Sequence, residues 1–248
     1  KYIPSLRFLT TLLGEEVEVE DDLRWYQRVL HRDQDGALTQ LEEALGSRSP
    51  EAIFDEIVVP SLSRAQLDVR RGTLEQRDQE FLWQVTQDWI DDLSDRDDLK
   101  LSARPRPDGE TVHVAVATSG MADILILRMV NVLLAPSRLQ LVIIDAEGSP
   151  LAVSDQIAEQ HPSLLVLSHL PPTSWTRTRY LARRFRARMA DVPLVVACWD
   201  RNADATAVAE QLRAGTASRV VLGVGALRDL LLENLSQPTP APALAAAS

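Results

Sequence analysis

The chain's 248 residues carry 26 Lys and Arg against 36 Asp and Glu, a formal charge of −10, and so acidic a balance argues against a nucleic-acid binder. With 45% hydrophobic and 25% charged residues the composition is globular, which excludes a disordered or collagen-like chain. Cys198 is the one cysteine, so no intrachain disulfide and no multi-cysteine zinc or iron–sulfur site can form, and a reducing compartment fits.

Residues 1–21 read as a connector. The chain opens on Lys1 rather than an initiator methionine, so a segment is expected to precede it, and Lys1-Tyr2-Ile3-Pro4 lacks the apolar stretch of a signal peptide. No uninterrupted apolar run approaches the roughly 20 residues that cross a bilayer, which predicts a soluble chain. Residues 22–94 have helical spacing. Leu23, Tyr26, Val29 and Leu30 share one face behind Asp21-Asp22, where a helix macrodipole favours negative charge. Asp33 or Asp35 can cap the next helix, which carries Leu38, Leu41, Ala44 and Leu45 and stops at Gly46. Ser49-Pro50-Glu51 starts a third, through Ile53, Ile57, Leu62, Ala65 and Val69 to Gly72, with a kink expected at Pro60. Thr73 with Gln76 can form a capping box for a fourth, whose stripe is Leu74, Phe81, Val85, Trp89 and Leu93. Four such helices imply a bundle.

A charged, proline-bearing linker follows at 95–110. Residues 1–110 hold 14 basic and 25 acidic residues, whereas the remainder holds 12 and 11, so the halves differ electrostatically. In the second half, 111–235, the period changes. Short Val-, Leu- and Ile-rich runs at 112–118, 139–146, 164–168, 194–198 and 219–222 read as strands covered on both faces, and helical stretches at 122–134, 151–160, 174–189, 203–214 and 225–235 separate them. The predicted fold class is α/β: an N-terminal four-helix bundle followed by a flavodoxin-like, doubly wound sheet of five parallel strands in the order 2-1-3-4-5. Residues 236–248, rich in proline and alanine, are expected to form a disordered tail.

An acidic bundle ahead of a flavodoxin-like domain, with the run from Asp33 to Leu62, resembles the cobalamin-binding module of methionine synthase, corrinoid proteins and cobalamin-sensing regulators. The likeness spans roughly residues 22–235. It implies a bundle that caps the cofactor's upper face and a cobalt-binding histidine in a D-x-H-x-x-G loop after the first strand. In that loop this chain has Gly120, Ala122 and Leu125 in place of the Asp, His and Gly. The family's S-x-L after the third strand is matched by Ser168-His169-Leu170, which implies that Ser168 approaches the nucleotide tail. Its Gly-Gly after the fourth strand is replaced by Cys198-Trp199, a tryptophan that would fill the tail's slot. The departures imply no bound cofactor. The stretch Tyr2 to Glu16, running on to Trp25-Tyr26-Gln27-Arg28-Val29-Leu30, is similar to the segment after the last membrane helix in some autoinducer-2 exporter family permeases. That implies a cytosolic extension at the bacterial inner membrane, with the membrane domain of the same polypeptide as partner.

The remaining candidates carry less specific chemistry. His169 ends the third strand, where ligands of such sheets sit; the plainer reading is a loop histidine bonded to backbone or water, since no second ligand lies nearby. His31, His113 and His161 have no ligand spacing. Ser119 and Gly120 after the first strand, and Gly223 and Gly225 after the fifth, could present backbone N–H groups to an anion, or simply make tight turns. No G-x-S-x-G elbow, H-E-x-x-H helix or facing carboxylate pair is present, and Asp145 and Asp200 end strands without a nucleophile beside them, so no enzymatic activity is expected. Arg177, Arg179, Arg183, Arg184, Arg186 and Arg188 form a run with no acid before Asp191. Nucleic acid or anionic lipid is one partner for them, but the acidic bundle or another subunit is favoured, which leaves a homo-oligomer open. The reading is a non-enzymatic regulatory or interaction domain; the alternative is a sensor of a corrinoid or other small ligand that binds without the usual histidine.

Overall fold

The computed structural model describes residues 20–96, 113–118, 120–137, 139–200, 202–212 and 217–235. The expected tail, and nearly all of the connector and linker, lie outside these residues. Helix α1, Asp21–Leu30, begins on the two aspartates and buries Trp25, Tyr26 and Val29; Trp25, which the apolar spacing left out, is fully buried. Helix α2, Gln34–Leu45, is capped by Asp33, whose carboxylate accepts the Gly36 N–H at 3.0 Å.

The third bundle helix is continuous but not uniform. Helix α3, Pro50–Ile53, passes through a π turn, Phe54–Val58, into α4, Val59–Arg71. Pro60 has no N–H to give, and its ring crowds the preceding turn; the widened π turn stands where the kink was expected. Gly72 ends α4 at φ 70°. Thr73 corrects an expectation. Its hydroxyl donates to the Asp68 carbonyl at 3.1 Å and closes the end of α4, while α5, Gln76–Asp95, starts behind Glu75. Phe81 is only partly buried, covered by the Arg32 guanidinium 4.2 Å from its ring, and the deep contacts of α5 come from Leu82, Val85, Trp89, Ile90 and Leu93. Phe54 meets Trp89 edge-on at 5.4 Å, a pair that contributes about 1 kcal/mol beyond its area.

Among the described residues five parallel strands form one sheet in the order β2-β1-β3-β4-β5: β1 His113–Ala117, β2 Leu141–Asp145, β3 Leu164–His169, β4 Leu194–Cys198 and β5 Arg219–Leu222. The flavodoxin-like order follows the expectation. Helices α6 Met121–Leu134, α7 Pro150–Glu159, α8 Trp175–Arg188, α9 Ala205–Leu212 and α10 Val224–Leu235 cover its faces. Alternate strand residues face opposite layers. Ala115, Ala117, Val166, Val195 and Ala197 face α6 and α10, and this layer is continuous with the core of the bundle. Val114, Val116, Leu165, Leu167 and Val196 face α7, α8 and α9. The boundary between the halves therefore divides the chain without dividing its apolar core.

Polar contacts place the bundle over the carboxyl edge of the strands. Ser63 donates to the Pro171 carbonyl at 2.5 Å and Arg70 donates to that of Pro172, both just after β3. Glu51 pairs with Arg228 of α10 at 2.9 Å, and Asp91 of α5 with Arg128 of α6 at 2.5 Å.

Candidate functional site

Short loops after β1, β3, β4 and β5 meet at that carboxyl edge beneath α4. After β1 the backbone is held by its own acid: the Thr118 N–H donates to Asp123 at 2.8 Å and the Thr118 hydroxyl donates to the Ser168 carbonyl at 2.8 Å. Ala122, at the position the resemblance gives to the cobalt ligand, is 0% exposed on α6 and presents only a methyl group to the core. Gly120 has φ +71°, and the Glu147 carboxylate lies against it, 3.2 Å from where a Cβ would stand. That carboxylate would repel a bare anion at the Gly120 backbone; Ser119 lies outside the described residues.

At the end of β3, Ser168 and Leu170 are fully buried and His169 is 1% exposed. The Ser168 hydroxyl accepts the Trp199 indole N–H at 2.6 Å, so the serine of the S-x-L motif is engaged by the tryptophan that replaces the second glycine. Trp199 is 2% exposed. His169 stacks on Trp175 with ring centres 3.5 Å apart, and its Nδ1 lies 2.9 Å from the Thr178 hydroxyl. Burial, with the Arg70 charge nearby, pushes the His169 pKa down to about 4, so the ring is neutral near pH 7. It is a packed core histidine that closes β3, with a side-chain hydroxyl as its ring partner, where the plainer reading had a loop residue bonded to backbone or water. Burial likewise pushes the Cys198 thiol up to about 12, which keeps it from reacting as a thiolate. Among the described residues, no group of three or more His, Cys, Asp or Glu could hold a metal ion.

The loop after β5 overturns another expectation. Gly223-Val224-Gly225 does present N–H groups to an anion, but the anion is the chain's own Asp55. Its carboxylate accepts from Val224 N–H at 2.7 Å and from Gly225 N–H at 3.2 Å. Gly223, at φ +84°, lets it come close, since a Cβ there would sit 2.8 Å from the carboxylate. Nothing in the local pattern of either segment could pair them, because Asp55 and Val224 stand 169 positions apart.

The arginine run is also corrected. Helix α8 lies on the face of the sheet opposite the bundle-side layer, so its basic side does not dock on the acidic bundle of the same chain. Arg177 instead donates to the Ala146 carbonyl at 2.9 Å and Arg179 to that of Gln211 at 3.1 Å. Arg186 donates to the Ser218 hydroxyl at 2.8 Å, and Arg188 reaches Asp155 at 3.3 Å. These four fasten α8 to its neighbours, while Arg183 is exposed on its outer side.

No family model matches the chain, and no curated protein does. Among solved structures, the monomethylamine corrinoid protein of Methanosarcina barkeri is similar at 15% identity and a TM-score of 0.55, over 85% of this chain and 96% of that one. A cobalamin-binding protein from Desulfitobacterium hafniense DCB-2 matches at 13% identity and a TM-score of 0.39, over 87% and 98%. The methanol:cobalamin methyltransferase complex of Methanosarcina barkeri matches at 11% identity and a TM-score of 0.34, over 96% and 95%. The first of these identifies the fold: a helical region followed by a Rossmann-like parallel sheet, as in corrinoid proteins.

Proposed function

We propose that this chain is a non-catalytic regulatory domain on a corrinoid-protein fold that binds no corrinoid, carried as the cytosolic extension of a membrane permease. The observation that carries the first half of this reading is the 2.6 Å bond from Trp199 to Ser168, which puts an indole on the serine that the resemblance assigns to the nucleotide tail. Two further features agree with it. Ala122 has no lone pair to offer a metal, and Asp55, Ser63 and Arg70 join the bundle straight to the loops beneath it, where the resemblance interposes a cofactor. The residues present do not fit a corrinoid. The permease half rests on the resemblance of the first 30 residues; no helix among the described residues is long and apolar enough to cross a membrane.

Two measurements test it. Purified protein mixed with hydroxocobalamin and desalted should emerge without visible absorbance, and a stoichiometric retained chromophore overturns the regulatory reading in favour of a corrinoid sensor. The native gene should encode several membrane-spanning helices before Lys1, and an upstream region without them removes the permease.

A further inference from the structure

We infer that the cleft between the ends of β1 and β3 binds a hydroxylated small anion, a sugar phosphate or sugar acid, gripped jointly by Arg70 of the bundle and Arg177 of the α/β domain. The cleft measures about 320 Å³, within the range of about 300–1,000 Å³ typical of small-molecule sites. It lies beside β1 where the strand order reverses, with β2 on one side and β3 on the other, the place at which open α/β sheets leave a crevice.

Its lining decides the chemistry. Arg70 and Arg177 both line it, one from each half of the chain. Each spends a donor on a backbone carbonyl, Pro172 for Arg70 and Ala146 for Arg177, and a carbonyl holds a guanidinium in place without neutralising it. Each five-donor fork keeps further donors at a cleft that both side chains line, and two such groups suit the oxygens of a phosphate or carboxylate. Glu147 also lines the cleft. An ionised carboxylate only accepts hydrogen bonds, so it would repel a bare anion and favour one that also carries hydroxyl groups. Gln66 and Ser174 add further polar atoms. A ligand of this kind touches both halves at once, which gives a regulatory domain an input. The inference goes beyond the regulatory reading and does not depend on the absence of a corrinoid.

Ribose 5-phosphate, inorganic phosphate and ribose serve as probes, titrated into the full chain by calorimetry and by nuclear magnetic resonance of arginine Nε–Hε groups. The expected result is saturable binding of ribose 5-phosphate that shifts the Arg70 and Arg177 resonances of the wild type, with inorganic phosphate weaker and ribose silent. Arg177→Gln should weaken both phosphates about tenfold or more. Glu147→Gln should narrow the gap between them, because the hydroxyl acceptor loses its charge while the anion site loses a repulsion. Because Arg70 and Arg177 also tether loops, the wild-type resonances decide the matter if a variant unfolds. No saturable binding of ribose 5-phosphate, or shifts confined to Arg183 and its neighbours on the outer side of α8, overturns the assignment. Retained hydroxocobalamin would sink the regulatory reading alone and leave these titrations to stand or fall separately.

Discussion

His169 sits neutral in the core because burial disfavours its charged form and the Arg70 guanidinium adds to that effect. Its folded pKa of about 4 lies below the ordinary 6.5, so between these values the unfolded chain binds the extra proton and the folded chain does not. The stability it contributes is complete above pH 6.5 and lost as the pH falls toward 4, a change of about 3 kcal/mol for so large a displacement. Other acids titrate in the same window, so the test is a difference. Urea unfolding between pH 4.5 and 7 should show a steeper loss of stability for the wild type than for His169→Asn, and parallel curves would show that the ring is already protonated or solvated. Two glycines offer a second residue-scale comparison. Gly72 and Gly223 both hold positive φ, but a Cβ at Gly72 meets nothing within 4 Å while one at Gly223 meets Asp55. Gly72→Ala should cost about 1 kcal/mol of backbone strain, and Gly223→Ala distinctly more, since the Asp55 carboxylate must also move. Equal losses in chemical denaturation would mean that the Asp55 contact contributes nothing.

Helix α8 shows how far the pattern of one element can be read. Its sheet-facing residues, Leu181 and Phe185, were legible because apolar side chains recur at helical spacing, and the same rule located the strands to within a residue or two. The work of the arginines was not legible. A guanidinium that reaches a carbonyl about 30 residues away leaves no mark in local spacing, and six charges in a row look alike whether they fasten α8 to α7 and α9 or await a partner. Arg183→Glu should therefore change stability by no more than about 0.5 kcal/mol, whereas Arg186→Ala, which releases Ser218, should cost about 1 kcal/mol. Thermal or urea melts decide between these values, and equal effects would contradict the fastening role. The site divides the same way. Ser168, His169, Gly223 and Gly225 stood out as residues at strand ends, but Trp199 on Ser168, Trp175 on His169 and Asp55 on α10 are contacts between distant segments that only the folded chain brings together.

Across the whole molecule, the shared apolar layer matters more than the charge difference between the halves. Trp25 and Trp89 in the bundle belong to the same core as Val166 and Ala197 of the sheet. Opening the bundle alone would strip α6 and α10 of apolar cover, so the halves should unfold together. Tryptophan fluorescence and far-ultraviolet circular dichroism should trace coincident transitions in urea. A first transition in fluorescence, with the sheet intact, would mean that the bundle is an independent unit.

The π turn at 54–58 governs that union through angular phase. In an α-helix each residue advances about 100°, so Ser63 and Arg70 would stand about 100–120° around the axis from Glu51. The turn absorbs one extra residue and sets everything after it back by about 100°. Glu51, Asp55, Ser63 and Arg70, which hold α10 at one end and the β3 loop at the other, then fall within about 40° of one another on a single face. Were the turn regularised by a one-residue deletion, Arg70 would swing away from Pro172 and from the cleft while Glu51 kept its grip on Arg228. The spacing that looks irregular along the chain is what lets one helix span the sheet edge from β5 back to β3.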